Sequence, residues 1–284
     1  MTLCIAWKNG NNIRFSSDSR FSIDDDHYAD IGIKVMQIPV IIKNPTPVET
    51  GIEEIIYNHK LGMCYCRDTT NAFLIKETIA EVLQNLQLLP GYTDFSLRGI
   101  CNVIVKFLEN TSDHLRDGMD WDPDVEFLIG GYCPENLRVM VYKFQLVDYG
   151  DHFETMCDEV LEDDNDMIIM GSGTDKAEEL ITAGNIQPGN KLLKVLRDVC
   201  NDDSVPSVGG HIQYGQFDNN DFRILGVNDY KILPDGQIEY IYAYRGTVFY
   251  KDKFEANEND YHIATNFIMP FQDEIDEYWR QQGI

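Results

Sequence analysis

Apolar residues alternate from the start of the chain, with Leu3, Ile5 and Trp7 on one face and Cys4 and Ala6 on the other. The pattern breaks at Asn9-Gly10-Asn11-Asn12 and resumes over Ile13 to Ser17. A two-residue period on both sides of an Asn-Gly break predicts a β-hairpin beginning directly behind the first residue. Asp18-Ser19-Arg20 ends the second strand, Asp24-Asp25-Asp26 reads as a solvated loop, and Ile31 to Ile38 resumes strand character with Lys34 inside it. Residues 39–60 carry Pro39, Pro45 and Pro47 in a polar setting and read as an insertion or a long hairpin. A further strand is predicted over Lys60 to Cys66.

Beyond Arg67-Asp68-Thr69 the period lengthens. Ile75, Ile79, Val82, Leu83 and Leu86 fall on one helical stripe that Pro90-Gly91 stops. A second helix is predicted over Phe95 to Leu108, its apolar face made by Leu97, Ile100, Cys101, Ile104, Phe107 and Leu108. Two strands follow, Glu126 to Tyr132 and Arg138 to Phe144, then the acidic link Glu162 to Asp166, a short strand Met167 to Met170, and Gly171-Ser172-Gly173. Helices are predicted at Asp175 to Thr182 and Asn190 to Cys200, then a strand-rich stretch from Gly210 to Tyr250 with a turn at Pro234-Asp235-Gly236. Phe271 to Arg280 is amphipathic and packs either on its own domain or on a partner. Strands in blocks, with helices in pairs between them, predict an α+β protein. The architecture is a four-layer αββα sandwich of two mostly antiparallel sheets.

Composition narrows the function classes. In 284 residues, 43% hydrophobic and 25% charged side chains are ordinary for a chain that buries a full core. The 48 acidic against 23 basic side chains give a net charge of −25, which repels phosphate backbones and anionic lipid surfaces, so no nucleic-acid or membrane partner is expected. Seven cysteines on a long chain without secretory features argue against a disulfide framework. Cys64-Tyr65-Cys66 alternates along a strand with no second Cys/His pair at zinc spacing, so no metal is predicted, and no cofactor motif occurs. The start has no basic region followed by a long apolar run, and no eighteen consecutive apolar residues occur anywhere, which points by elimination to the cytoplasm.

The candidate chemistry lies at the start. Thr2 follows Met1, and Asp18 and Lys34 follow Thr2 at equal steps of sixteen. Aminopeptidases remove methionine ahead of a small side chain, and a freed threonine carries a nucleophilic hydroxyl and a basic amine on one residue. That amine's ordinary pKa of roughly 8 suits proton transfer at neutral pH.

These residues carry a resemblance. Thr2-Leu3-Cys4-Ile5-Ala6-Trp7, Ser17-Asp18-Ser19-Arg20 and Lys34 resemble the proteasome β-subunit family of N-terminal nucleophile hydrolases, most closely the bacterial proteasome-related peptidases of the ancestral β-subunit type. Cys66-Arg67-Asp68-Thr69-Thr70-Asn71-Ala72-Phe73 resembles the family's entry into its first helix, Leu128 to Tyr132 its following strand, and Met170-Gly171-Ser172-Gly173 its Gly-Ser-Gly. The likeness covers roughly residues 2–215 of a single domain spanning 1–284, with an insertion at about 39–60 and a C-terminal extension at about 216–284.

The resemblance implies a threonine-type peptidase or amidohydrolase in which Thr2 attacks an amide carbonyl and its own amine moves the proton. It implies that Lys34 sits near the hydroxyl, that Asp18 holds Lys34, and that Ser172 supports the amine. The backbone N–H of Arg67 faces the oxyanion. Asp203 and Ser207, ahead of Gly209-Gly210, approximate a further Asp/Ser pair with two extra residues. Ser22 and Arg67 border an extended substrate, and Phe21, Met36 and Tyr65 line the first specificity pocket.

Arg67 stands where the family has glycine, so a side chain crowds the oxyanion position and the backbone is expected to avoid a glycine-only conformation. The implied partners are a peptide or protein substrate and further copies of the chain, with an ATP-dependent unfoldase left open. Two other readings stand beside this one: a proteasome-like structural or binding subunit without catalysis, and a small-amide amidase with residues 39–60 as a lid.

Overall fold

Alternation along single strands sorts the side chains of this protein into three apolar layers, and those layers set its architecture. The computed structural model describes residues 2–22, 27–45, 51, 53–91, 95–249 and 266–282. The predicted Asp24-Asp25-Asp26 loop, residues 46–50 and residues 250–265 lie outside them.

The chain runs β1 (Leu3–Asn9), β2 (Asn12–Ser17), β3 (Phe21–Ser22), β4 (Tyr28–Ala29), β5 (Val35–Lys43), β6 (Ile55–Arg67), α1 (Thr69–Leu83), β7 (Leu86–Gln87) and α2 (Leu97–Met119). It continues through β8 (Val125–Cys133), β9 (Arg138–Asp148), β10 (Phe153–Val160), β11 (Met167–Gly171), α3 (Thr174–Gly184) and α4 (Lys191–Cys200). The last part is β12 (Gln213–Asp218), β13 (Asp221–Ile232), β14 (Ile238–Tyr244), β15 (Thr247–Phe249), β16 (Phe267–Ile268) and α5 (Gln272–Gln282).

One sheet has the order β11-β1-β2-β12-β13-β14-β15 with β16 also on β13, and the other has the order β10-β9-β8-β6-β5-β7. All pairings are antiparallel except β13 with β16 and β5 with β7. On β1, Leu3, Ile5 and Trp7 pack against α3 and α4 through Ala177, Leu192, Leu193 and Leu196, while Cys4 and Ala6 face the second sheet. On the second sheet Met36, Ile38, Met63, Tyr65, Phe127 and Ile129 pack against α1 and α2 through Ile75, Ile79, Ile100 and Ile104. Its opposite face supplies Val35, Cys64, Cys66 and Leu128 to the layer between the sheets. The predicted αββα order is present.

Between the sheets, Phe15, Phe217 and Phe222 cluster with ring centroids 5.1–6.3 Å apart. They fit because glycines lie opposite them. A Cβ on Gly62 or Gly215 would overlap the ring of Phe222, and one on Gly130 would press on Phe217 and Phe15. Gly62→Ala is therefore expected to destabilise the protein by about 1–3 kcal/mol, the usual result of overpacking a filled core. A fall in the urea midpoint at unchanged slope would report it, and an unchanged midpoint would refute it.

Several elements differ from the expectation. Lys34 lies immediately before β5, not inside a strand. Residues 39–43 and 55–60 agree with the long-hairpin alternative, being the arms of the β5–β6 hairpin with Pro39 opposite Lys60. Pro39 is tolerated because β5 has a second neighbour, β7, only at Ile42 and Lys43. Helix α2 runs on to Met119, since Ser112 and Leu115 continue its buried face in polar-looking sequence. The unpredicted β10 is an edge strand whose Phe-Glu-Thr-Met-Cys-Asp-Glu-Val has too little apolar alternation to be read. In the C-terminal part, β13 joins the main sheet through β12, and Phe222 and Val227 enter its core. Among the described residues, no helix is long and apolar enough to cross a membrane.

Helix α5 packs on its own domain. Phe271 and Ile275 are buried, and Arg197 of α4 lies over the Phe271 ring at 3.8 Å. Glu274 accepts from Arg197, from Lys194 at 2.8 Å and from the Tyr230 hydroxyl at 2.9 Å. Burial pushes the Glu274 carboxyl up, but these donors outweigh it and hold it at about 2 against an ordinary 4.5. A depressed carboxyl stabilises the fold above its unfolded pKa and loses that contribution as pH falls through its folded pKa. Loosening of α5 is thus expected between about pH 4.5 and 2. Trp279 fluorescence reports it, and a Glu274→Gln variant should lose that transition.

Candidate active site

Thr2 directly precedes β1, which lies between β2 and the edge strand β11, and Gly171 at the end of β11 is paired with Leu3. The approach is close: a Cβ on Gly171, whose φ is +104°, would overlap the Thr2 carbonyl. Only glycine meets both demands. The following residue, Ser172, therefore reaches the start of the chain. The Thr2 N–H donates to Ser172 Oγ at 3.2 Å, and the Ser172 and Ser207 hydroxyls are 2.8 Å apart.

On the other side of β1 stands Asp18, at the end of β2. Its Oδ1 accepts from the Leu3 N–H at 3.0 Å and from Lys34 Nζ at 2.8 Å. Its Oδ2 accepts from the N–H groups of Arg20 at 3.0 Å and Gly209 at 3.2 Å. Thr2, Asp18 and Lys34 all have 0% exposure. Burying an ion pair is costly unless the remaining lone pairs are satisfied, and four donors around one carboxylate meet that condition.

Gln213 fastens the segment that carries the lysine. Its Nε2 donates to the carbonyls of Asp18 at 3.0 Å and Gly32 at 2.7 Å, and its Oε1 accepts from the N–H of Lys34 at 3.0 Å. Lys34 is thereby held at a fixed position in front of β5. In this arrangement Thr2 Oγ1 is buried and has no hydrogen-bond partner. Leaving a buried hydroxyl unpaired costs about 1–3 kcal/mol, so the structure keeps a free oxygen at this place at a cost to stability.

Arg67 ends β6, and its φ is +76°. The backbone takes the left-handed region that sequence reasoning expected a non-glycine residue to avoid, at about 1–2 kcal/mol for an L side chain. The guanidinium is drawn aside by Asp124 Oδ1 at 2.7 Å and Glu126 Oε2 at 3.3 Å. Glu126 also takes Lys143 at 2.6 Å. Burial pushes the Glu126 carboxyl up, but Lys143 and Arg67 outweigh it and hold it below its ordinary value. The next residue, Asp68, caps α1 by accepting from the N–H groups of Thr70 and Asn71. A cavity of about 480 Å³ is lined by Arg67, Asp68, Asp124, Glu126, Gly171 and Ser172, so it abuts the residues that touch Thr2.

The other predicted site residues divide. Ser207 is buried against Ser172, whereas Asp203 is exposed and stands outside the cluster. The two extra residues in that loop separate the pair. Met36 and Tyr65 are core residues beneath α1, at 1% and 0% exposure, because even positions of β5 and odd positions of β6 face the helices. They do not border this cavity. Phe21 is 37% exposed on β3, and Ser22 beside it has a buried hydroxyl without a partner. Sequence reasoning missed Gln213, Asp124 and Glu126. A carboxylate within Val125-Glu126-Phe127-Leu128-Ile129, an otherwise apolar strand, was the available signal for Glu126.

No protein-family model matches the chain. No curated protein matches it. Among solved structures 436 chains match, including Anbu (Gly-1) mutant from Hyphomicrobium sp. strain MC1. That likeness has a TM-score of 0.53 and 14% sequence identity and covers 86% of this chain and 88% of the other. At such identity the likeness concerns the fold alone, and it agrees with the layer order above: the chain has a proteasome-like αββα sandwich fold.

Proposed function

We propose that this protein, after loss of Met1, is an N-terminal threonine hydrolase of the proteasome-type peptidase class that cleaves amide bonds in peptides or proteins within a homo-oligomeric assembly. The observation that carries the reading is the free, buried Thr2 Oγ1, with its own nitrogen on Ser172 and the N–H of the next residue on the Asp18 carboxylate that holds Lys34. With Met1 gone that nitrogen is an amine. Thr2 Oγ adds to the substrate carbonyl, the amine takes the hydroxyl proton, and the Arg67 N–H faces the oxyanion. Collapse of this adduct breaks the C–N bond, passes the proton to the leaving amine and leaves an ester on Thr2 that water then cleaves.

The non-catalytic subunit reading has its own support, in the full burial of Thr2 and in the side chain carried by Arg67. Intact-mass measurement before and after treatment with a threonine-directed electrophile separates the two. Removal of Met1 together with one adduct on Thr2 supports the hydrolase. Retained Met1, or processed protein without adduct, overturns it. Native mass of the same sample tests the assembly, and a monomer would argue against enclosed proteolysis.

A further inference from the structure

We propose that Asp124 and Glu126 are positioning residues that hold the peptide of Arg67 in its left-handed conformation, the task glycine performs without help, and so keep its N–H aimed at the oxyanion. The proposal rests on the reading of Thr2 as nucleophile. Arg67 has a φ of +76°, which L side chains rarely adopt, and neighbours anchor it on both sides. Ahead of it, Cys66 packs against Gly171, the residue that touches the Thr2 carbonyl. Behind it, the Asp68 N–H donates to the Asp124 carbonyl at 3.0 Å, and the Asp68 side chain caps α1.

The side chain completes the hold. One guanidinium nitrogen donates to Asp124 and another to Glu126, so the direction of the Arg67 Cα–Cβ bond is tied to the residues across the ladder while both chain neighbours are anchored. Glu126 is a firm anchor. Its side chain is only 11% exposed and is fixed from its other oxygen by Lys143 at 2.6 Å. The fork ties the guanidinium to Asp124 and to Glu126 of β8. A side chain that would crowd the oxyanion position instead becomes a strut for the backbone.

Two electrophiles separate this role from a structural one. A β-lactone acylates Thr2: the hydroxyl oxygen bonds the lactone carbonyl carbon, the ring C–O bond breaks, and the hydroxyl proton passes through the amine to the released alkoxide. That path develops an oxyanion. A peptide vinyl sulfone alkylates the same oxygen by addition to its alkene, with the proton ending on the adjacent carbon and no carbonyl oxyanion formed. Both rates are read by intact mass on the processed full-length protein.

Asp124→Ala and Glu126→Gln are expected to slow β-lactone acylation about 10- to 100-fold, part of the 100- to 1,000-fold that loss of one oxyanion donor costs. Vinyl sulfone alkylation should change less than about twofold. In an Arg67→Gly background, the same two substitutions should change the β-lactone rate less than about twofold, because glycine holds this φ unaided. Asp124, 66% exposed, can be replaced without disturbing the core, so at least one variant reports on a folded protein. Unchanged β-lactone rates, equal losses with both electrophiles, or no rescue by Arg67→Gly would overturn the strut. No wild-type adduct with either electrophile overturns the nucleophile reading, and this proposal with it.

Discussion

Thr2→Ala is expected to abolish the proposed amide turnover and to leave the fold intact. The hydroxyl that the substitution removes has no hydrogen-bond partner, so no bonding network is broken with it. The methyl group lost from a buried position costs about 1 kcal/mol, and removal of the unpaired hydroxyl returns about 1–3 kcal/mol, so Tm should stay level or rise by a few degrees. Against that small change in stability, the nucleophile and with it the acyl intermediate are gone, and the rate should fall to the background of the assay. Hydrolysis of a fluorogenic peptide, measured beside a thermal melt on the same preparation, tests both halves. Retained activity at more than a few per cent of wild type would remove Thr2 from the mechanism.

Lys34→Ala is expected to damage stability and activity together. The ammonium it removes is the ionic partner of a carboxylate with no exposed surface, and the three backbone N–H donors left on Asp18 do not replace a charge. Stranding one member of a buried pair costs about 3–5 kcal/mol. Turnover should be nearly lost as well, because the proposed mechanism loses its cation and Asp18, which also receives the Leu3 N–H, is free to shift. A large fall in Tm with residual hydrolysis near background is the expected pair of results. A variant as stable and as active as wild type would show that the pair is neither.

Much of this arrangement was legible before any coordinates. The hairpin at the chain start, the helix stripes of α1, α2 and α4, and the order of strand and helix blocks follow from periodicity, because a side chain facing a core must be apolar wherever the element turns it inward. The spacing of Thr2, Asp18 and Lys34 and the Gly-Ser-Gly ahead of α3 were equally readable. What escaped were places where apolar patterning carries no information. Strand β10 is a half-exposed edge with acids on its outer face, and the second half of α2 buries Ser112. Residues 39–60 read as an insertion or a long hairpin because their prolines are breakers in most strands, and the hairpin arms are present, with Pro39 paired opposite Lys60.

For the site, the sequence by itself determined which chemical groups are available: a threonine that loss of Met1 would place at the N-terminus, an aspartate, a lysine and a serine. Tertiary structure decided how they meet. Asp18 becomes a buried hub only because Leu3, Lys34 and Gly209, 15, 16 and 191 residues away, converge with the neighbouring Arg20 on its two oxygens, and Gln213, 179 residues beyond Lys34, pins the lysine segment. Asp203 and Ser207 lie four residues apart in sequence, yet only the serine turns inward. Arg67 reads in sequence as an obstacle. Its backbone is left-handed, and its carboxylate fork is formed by Asp124, just ahead of strand β8, and Glu126, on that strand, whose register against β6 no local pattern announces. Local propensity acts over a few residues, while hydrogen-bond geometry and buried charge are settled by groups that the fold alone brings within 3 Å of one another.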